Sequence, residues 1–442
     1  MRNILFLIFV QVSFLSFAQY QIKGTIEPFD KEIKWAMLYQ IKDGRQHYIE
    51  NSKIDNKSFY FKIPSTASSG MYRIVYRLKG ESFIDVLYNK EDVTFKFNPD
   101  YPEETVVYSE SRENTLYQEY LQNIFGVQQY LDSIQISYFK TPKLITANLY
   151  QEAYYELRDL QKKYETESKN MLVFNFIKAT HRYNSSLIVS TPNIYLKNTQ
   201  VNFFNNIDFQ DGVLVNSSFL IDRTIDYIFN LNYSNDPKTQ QNLFKESINK
   251  VLSIPKKTSL QKDLIQIIIQ EFVNNEDSEM VEYLLENYYK DLPKEEQSSS
   301  YIEETLAKIS IFIGAVAPDF AWGENKKLST LNTHKNYIVL FWSTSCSHCK
   351  SQLPKIDTFL DNFKNIQVIA IALEKDEIEF EKQIVSFPEW EHVLGIGKWK
   401  NTIARSYSIE ATPTFLLLNS AKEIIALPDS YEDLTKAIYE LQ

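Results

Sequence analysis

The stretch YIVLFWSTSCSHCK, residues 337–350, decides how the C-terminal part of this chain folds. It opens with an unbroken apolar run, the pattern of a strand that is buried on both faces of a sheet. A short polar segment follows, and a helix is predicted to start at Cys346. Cys346 and Cys349 are the two cysteines of the chain. The pair has three interpretations: a redox couple, half of a metal site, or a structural accident.

Strand and helix patterns alternate around this stretch, from about residue 310 to the end of the chain. After the cysteines come a second buried strand, a helical stretch, two closing strands and a terminal helix: IQVIAIAL (366–373), EIEFEKQIVSF (377–387), TPTFLLLN (412–419), KEIIALP (422–428) and YEDLTKAIYELQ (431–442). Strands joined through helices predict an α/β sheet that is covered on both faces. Residues 310–442 are therefore predicted to form one α/β domain.

Residues 19–105 show the period-two pattern of strands. Apolar residues alternate with polar ones in KSFYFKI (57–63), MYRIVYRL (71–78) and DVTFKF (92–97). This pattern, with turn signals between the runs, predicts an antiparallel β-sandwich-like domain. We interpret it as a structural or partner-binding module, because it contains no clear catalytic group. His47 is expected at the surface rather than in a metal site.

Residues 106–309 change to a helical period, so a central all-α region of six to nine helices is predicted. Two stripes are expected to pack: Tyr117, Leu121, Ile124 and Phe125, then Val281, Leu284, Leu285 and Tyr288. His181 stands alone in this region and is expected to be solvated. The complete chain is thus predicted to be a multidomain protein.

The first eighteen residues, MRNILFLIFVQVSFLSFA, are typical of a secretory signal peptide that is cut after Ala18. The alternative, a membrane anchor, is disfavoured because the apolar run is under about 20 residues long and lacks a basic stop on its far side. No later segment is long and apolar enough to span a bilayer. The formal charge of −10 argues against nucleic-acid binding. The mature protein is therefore expected to be soluble in the periplasm.

A single cysteine pair in an exported chain is informative. A bridge that closes a two-residue loop restrains little chain entropy, so it is not there for stability. Cys346 lies where a strand ends and a helix begins, a place that lowers the pKa of a thiol and makes it nucleophilic. Cys349 would then resolve the mixed disulfide. A zinc site needs four ligands and only three are clustered here, so neither metal nor cofactor is predicted.

The segment from Gly314 to the end resembles the thioredoxin superfamily, specifically its exported TlpA/ResA-like thiol-disulfide oxidoreductases. Three stretches carry the resemblance: APDF (317–320), YIVLFWSTSCSHCKSQLP (337–354) and ATPTFLLLN (411–419). The resemblance implies disulfide exchange through Cys346 and Cys349. It also implies a helix-kinking Pro354 and a cis-proline at Pro413 that faces the disulfide. The substrate-binding residues that it implies are Trp342, Thr412 and Pro413.

The two front regions are similar, more loosely, to the β-domain and helical insert that precede such domains in exported proteins of Bacteroidetes-type bacteria. The sequence departs from the family pattern in two features. Ser345 stands where a tryptophan usually precedes the first cysteine. Leu340 and Gln352 stand where family members bury an acid that assists proton transfer. Glu374 is the nearest alternative acid for this proton transfer, although the favoured interpretation of Glu374 is a solvated loop carboxylate. A water molecule could also transfer the proton in place of a side chain.

His348 replaces the proline that is common in reducing members of the family. An imidazole beside the resolving cysteine can stabilise the Cys346 thiolate and hence the reduced form. We therefore expect a couple more oxidising than that of thioredoxin, with a solvent-facing His348 as the alternative.

The main hypothesis is an exported thiol-disulfide oxidoreductase that acts on protein thiols and disulfides. With two cysteines it needs a second protein, which could be membrane-bound, to reset the pair. The alternative is a non-catalytic cell-envelope module that uses the thioredoxin fold as a docking surface. Ser345 and the missing acid support this alternative.

Overall fold

The computed structural model of the chain describes residues 19–42, 44–77 and 82–441. They form two compact units, one ending at Leu264 and the other beginning at Ile265. The predicted signal peptide lies outside the described residues and remains a prediction, as do the domain boundaries at 105 and 309. Among the described residues, no helix combines the length and the apolar character needed to cross a membrane.

The first unit contains two sheets and a series of helices. Its strands are β1 (Gln19–Ile26), β2 (Trp35–Lys42), β3 (Arg45–Lys53), β4 (Ser58–Pro64), β5 (Gly70–Val75), β6 (Phe83–Tyr88), β7 (Val93–Phe97) and β8 (Val107–Glu110). Its helices are α1 (Pro102–Thr105), α2 (Arg112–Lys140), α3 (Leu144–Glu167), α4 (Val173–Ala179), α5 (Pro192–Asn202), α6 (Gly212–Val215), α7 (Phe219–Ile225) and α8 (Pro237–Leu252). Helix α9 (Thr258–Asn274) follows.

The eight strands pair as two four-stranded sheets, in the orders β4-β1-β7-β8 and β3-β2-β5-β6. Alternate residues of both sheets meet in one apolar core, which includes Phe59, Phe61 and Ile74. This confirms the predicted sandwich-like arrangement and the period-two faces. One pairing differs, because β1 and β7 run parallel. His47 is exposed on β3, as expected.

The helical region contains more elements than predicted. Ten α-helices, α2 to α11, lie in the described part of residues 106–309. Helices as short as α6, with four residues, are too short to show a period, which explains the lower predicted count. The predicted packing stripe on α2 is also partly wrong, because Leu121 and Phe125 are 42% and 62% exposed. The buried face of α2 instead carries Tyr120 and Leu131.

The second unit continues with α10 (Ser278–Leu284) and α11 (Ser299–Ile309) and then the predicted α/β domain. The strands of that domain are β9 (Ala321–Trp322), β10 (Lys326–Lys327), β11 (Asn336–Trp342), β12 (Ile366–Glu374), β13 (Glu391–Ile396), β14 (Thr414–Asn419) and β15 (Ile424–Ala426). Its helices are α12 (Ser347–Leu360), α13 (Ile378–Ile384), α14 (Thr402–Ser406) and α15 (Tyr431–Tyr439).

The α/β domain is built on a five-stranded sheet in the order β13-β12-β11-β14-β15. The strands β11, β12 and β13 are parallel, while β14 and β15 are antiparallel to their neighbours. Strand β13 was missed from the sequence, because EHVLGI begins with two polar residues and contains a glycine. The carboxyl ends of β11 and β12 meet at one edge of the sheet, the edge where Cys346 lies.

The apolar strands bury both of their faces, because helices cover each side. On β11, Ile338, Leu340 and Trp342 pack into one core cluster together with residues of α12 and α15. Tyr337, Val339 and Phe341 pack into the cluster on the opposite face. This confirms the predicted sheet covered on both sides. It also assigns Leu340 and Trp342 to the face that carries α12 and the cysteines.

Candidate functional site

Cys346 is the N-cap residue of α12 and forms a disulfide with Cys349. The Cα atoms of the two cysteines are 5.3 Å apart, as one helical turn allows. Sγ of Cys346 accepts a hydrogen bond from the Cys349 amide at 3.0 Å. A free amide at the first turn of a helix stabilises a negative charge there. This is the setting for which the sequence predicts a nucleophilic Cys346 thiolate in the reduced protein, and that role remains a prediction.

The two sulfurs differ in accessibility. Cys346 is partly exposed, whereas Cys349 is completely buried. An incoming protein can therefore reach Cys346 but not Cys349. The arrangement suits a first thiol that attacks the partner and a second thiol that attacks the first.

Thr412 and Pro413 lie opposite the disulfide. The peptide bond between them is cis, and the Thr412 carbonyl oxygen is 3.5 Å from Sγ of Cys346. Strand pairing brings them there, because Phe341 on β11 pairs with Thr414 on β14. Thr412 and Pro413 are both partly exposed, so a bound peptide could contact them.

Trp342 does not take the predicted place at the substrate surface. The last residue of β11, it is fully buried in the apolar cluster that also contains Cys349. A fully buried ring cannot contact a docking protein, so the expectation of a substrate contact is wrong for this structure. Trp342 instead belongs to the apolar core on the face of the sheet that carries α12.

Glu374 is not the solvated loop carboxylate that the sequence favours. It is the last residue of β12 and only 6% exposed. One of its carboxylate oxygens accepts a hydrogen bond from the amide of Thr344, two residues before Cys346. The favoured interpretation was wrong because the local sequence EKDE (374–377) contains no information about the segment that follows β11. That segment, around Thr344, covers the Glu374 side chain.

The two positions where the family buries an acid are themselves buried. Leu340 is fully buried and Gln352 is 9% exposed. The side-chain oxygen of Gln352 is buried without a hydrogen-bond partner. Gln352 lies one turn after Cys349 on α12, so an uncharged polar group stands beside the buried thiol.

The segment between β11 and α12 is held by a network that the sequence did not reveal. Ser343 Oγ accepts a hydrogen bond from the Ser345 amide and lies 2.9 Å from Ser345 Oγ. The Cys346 amide donates to the Ser343 carbonyl at 3.1 Å. Lys398, from the segment after β13, donates from Nζ to Ser345 Oγ at 3.3 Å. Lys398, like its neighbour Gly397, has a positive φ, a backbone conformation that the sequence does not predict for a lysine.

His348 is the second residue of α12 and is exposed. Its predicted tuning role remains a prediction. Across residues 19–441, apart from the undescribed gaps, no group of three or more His, Cys, Asp and Glu side chains could hold a metal ion.

His181, outside this site, is not solvated as expected. Its side chain is 26% exposed, with Nε2 3.3 Å from a carboxylate oxygen of Glu165. Burial, assisted by the charge of Lys178, lowers the pKa of His181 to about 4. The two groups are not aligned as a hydrogen bond, so burial outweighs the attraction of the carboxylate and the imidazole is neutral at pH 7.

Comparisons with known proteins agree with this geometry. A family model described as thioredoxin-like matches residues 334–424. The thiol-disulfide oxidoreductase ResA of Bacillus cereus is 28% identical over 117 residues, which are 26% of this chain and 67% of that protein. A thioredoxin-like protein of Haemophilus influenzae is 26% identical over 100 residues, 23% of this chain and 58% of the relative. The matched part thus spans less than two thirds of the Haemophilus protein.

Among solved structures, the thioredoxin domain of a thiol-disulfide oxidoreductase from Bacteroides vulgatus is similar. It is 24% identical, covers 30% of this chain and 99% of its own, and has a TM-score of 0.27. The fold and the disulfide at the start of α12 define a thioredoxin-like domain. Residues 334–424 match the thioredoxin-like family model, and the C-terminal domain is similar to ResA-type members of the thioredoxin superfamily, as the sequence predicted.

Proposed function

We propose that this chain is an exported thiol-disulfide oxidoreductase that exchanges disulfides with partner proteins through Cys346 and Cys349. One observation carries the proposal: a disulfide at a helix N-terminus joins a partly exposed sulfur to a fully buried one. A structural staple has no need of this asymmetry, whereas a two-step exchange depends on it.

The exchange starts from the reduced protein. The Cys346 thiolate attacks one sulfur of a partner disulfide, and the other partner sulfur leaves as a thiolate and takes up a proton. The Cys349 thiol then loses its proton and attacks Sγ of Cys346, which releases the second partner thiol. Two electrons have moved to the partner, and the chain holds the Cys346–Cys349 disulfide. The reverse sequence oxidises a partner dithiol.

Thr412 and Pro413 are proposed to position the partner. Strand β14 begins directly after them, at Thr414, and the Thr412 carbonyl is next to the reactive sulfur. An extended peptide that pairs with the backbone of Thr412 would bring its own sulfur close to Cys346.

Glu374 is proposed to accept the proton of Cys349. On β12, Ala370 and Ala372 face the same apolar cluster as Cys349. Side chains alternate along a strand, so Glu374, two residues further, lies on that face at the edge where α12 begins. One carboxylate oxygen holds the Thr344 amide, which leaves the other available for a proton. A buried general base of this kind accelerates proton transfer.

Export to the periplasm is proposed from the N-terminal sequence. A redox-recycling partner is proposed because two cysteines cannot pass electrons to a second pair within this chain. The β-sandwich and helical regions are proposed to recruit partners.

The test is a trapping experiment with the full chain. Cys349→Ser stops the second step, so we expect mixed disulfides between Cys346 and partner proteins to accumulate in cells. Cys346→Ser is the matched control and should trap none. The purified wild-type chain should also catalyse reduction of insulin by dithiothreitol. If Cys349→Ser traps no partner and insulin reduction stays at background, the chain is a docking module rather than an enzyme.

A further inference from the structure

The GKWK loop, residues 397–400, follows β13 and lies beside the disulfide. Lys398 Nζ donates to Ser345 Oγ at 3.3 Å, and Ser345 directly precedes Cys346. The steps proposed above use neither Lys398 nor its neighbour Trp399.

The backbone of this loop is held in an unusual conformation. The Gly397 amide donates to the Glu374 carbonyl at 3.0 Å, and the Lys400 amide donates to the Gly397 carbonyl at 3.0 Å. Gly397 and Lys398 both have positive φ, 96° and 53°. Glycine adopts this conformation freely, whereas a lysine rarely does. The backbone hydrogen bonds fix the path of the loop, and Lys398 lies beside Ser345.

The ammonium of Lys398 is available to a partner's carboxylate. In the part of the chain that the structure describes, no carboxylate lies within ion-pair distance of Lys398 Nζ. Its side-chain hydrogen bond goes to the Ser345 hydroxyl. His348 and Lys350, on the first turn of α12, are exposed nearby in sequence. Glu374 is buried and bonded to Thr344. Lys350 also lies near the exposed carboxylate of Glu379, so Lys398 is the basic group beside Ser345 that a docking protein meets.

Trp399 supplies an apolar contact next to this charge. It is 48% exposed, although large aromatic side chains are usually buried. It lines a groove of about 1000 Å³ whose apolar walls include Leu306 and Val316. The groove is also lined by Glu303, Glu304 and Glu410 and by Lys400 and Arg405. Arg405 and Glu303 neutralise each other as an ion pair at 3.1 Å.

One part of the groove lining lies close in sequence to Thr412. Its lining includes Ile409 and Glu410, and Glu410 is two residues before Thr412, which contacts Cys346. Two extended residues span about 7 Å. A peptide that reaches Cys346 along Thr412 can thus also place a side chain in the groove.

We infer that the GKWK loop selects the partner. The preferred partner presents a cysteine with an acidic residue next to it and an apolar side chain a few residues away. The carboxylate binds Lys398 and the apolar side chain packs against Trp399. This inference rests on the proposed disulfide exchange and names the class of protein segment that enters it.

The experiment uses the full chain, reduced with dithiothreitol and then freed of it. Three peptides are compared, each with a single cysteine that is joined to thionitrobenzoate by a disulfide bond. The peptides differ only in the residue next to this cysteine, which is Glu in the first, Gln in the second and Lys in the third. Reaction oxidises the Cys346–Cys349 dithiol to the disulfide and releases the peptide thiol and thionitrobenzoate, whose absorbance gives the rate. We expect the Glu peptide to react about three- to tenfold faster than the Lys peptide, as for an exposed ion pair.

Lys398→Glu should reverse this order, and added salt should reduce the preference because the charges are exposed. Lys364→Gln, which removes one charge beyond the C-terminal end of α12, should leave the preference unchanged. Trp399→Ala should slow a peptide with a phenylalanine three residues from its cysteine by about tenfold, and Trp399→Phe should restore most of the rate.

Equal rates for the three peptides, or an unchanged order in Lys398→Glu, would overturn the inference while leaving disulfide exchange intact. If the wild-type chain reacts neither with the peptides nor with hydroxyethyl disulfide, the proposed function itself fails and the inference falls with it.

Discussion

Replacing Glu374 separates its structural role from its proposed role in proton transfer. Glu374→Ala removes a buried acceptor and leaves the Thr344 amide unsatisfied in a site that is 6% exposed. Loss of a hydrogen bond to a charged group, with the cavity that remains, costs about 2–4 kcal/mol. For a unit of this size that lowers the melting temperature by about 5–15 °C.

Glu374→Gln keeps an oxygen for the Thr344 amide but cannot accept a proton. We therefore expect a loss of less than about 1 kcal/mol in stability and resolution by Cys349 that is slower by about tenfold or more. In this variant only Cys349 that has already ionised can attack. Its rate should then rise with pH, because a larger fraction of the thiol is ionised at higher pH, while the wild-type rate changes less.

The assay starts from a mixed disulfide between Cys346 and a small peptide, prepared with Cys349 reversibly blocked. After the block is removed, release of the peptide is followed by acid quenching and mass spectrometry between pH 6 and 9. Thermal unfolding of Glu374→Ala and Glu374→Gln measures how much stability each variant has lost. Equal release rates and equal pH profiles for the wild type and Glu374→Gln would show that Glu374 only holds the Thr344 segment.

Three further predictions concern single side chains. His348→Pro should make the reduction potential of the couple more negative by roughly 30–60 mV, measured against glutathione, because it removes the imidazole that favours the thiolate; an unchanged potential would show that His348 only faces solvent. Gln352→Glu places a carboxylate one turn after Cys349 and should speed release of a trapped peptide, and a slower release would argue against proton transfer from this position. The pKa of about 4 for His181 lies below the ordinary 6.5, so the unfolded chain binds more protons between these values. Stability of the N-terminal unit should therefore fall as the pH drops from about 6.5 to about 4, by at most about 3 kcal/mol. This prediction is checked by urea unfolding of the wild type and His181→Gln across this pH range. If the free energy of unfolding changed with pH by the same amount in both proteins, the prediction would be contradicted.

The sequence was sufficient for features that depend on neighbouring residues. The apolar run of β11, the start of α12 at the cysteines and the alternation in β4 and β7 are local patterns. Each is set by backbone periodicity and by the first turn of a helix. The cysteine pair and its thioredoxin-like setting could therefore be predicted.

The environment of single side chains could not be predicted in this way. Trp342 and Glu374 end neighbouring strands, and both are buried because α12 and the segment around Thr344 cover that edge of the sheet. The apolar pattern of β12 ends at Glu374. This pattern would be the same whether the Glu374 carboxylate were buried or exposed to solvent. Only the pairing of β11 with β12 decides between the two.

The sequence by itself determined the candidate chemistry: two thiols one helical turn apart, at the end of a buried strand, in a chain whose first eighteen residues predict a secretory signal. The tertiary structure decided what surrounds them. Thr412 lies 66 residues from Cys346 and Lys398 lies 53 residues from Ser345, yet they make direct contacts. Such contacts depend on how strands and loops distant in sequence pack together, and local periodicity carries no information about that packing.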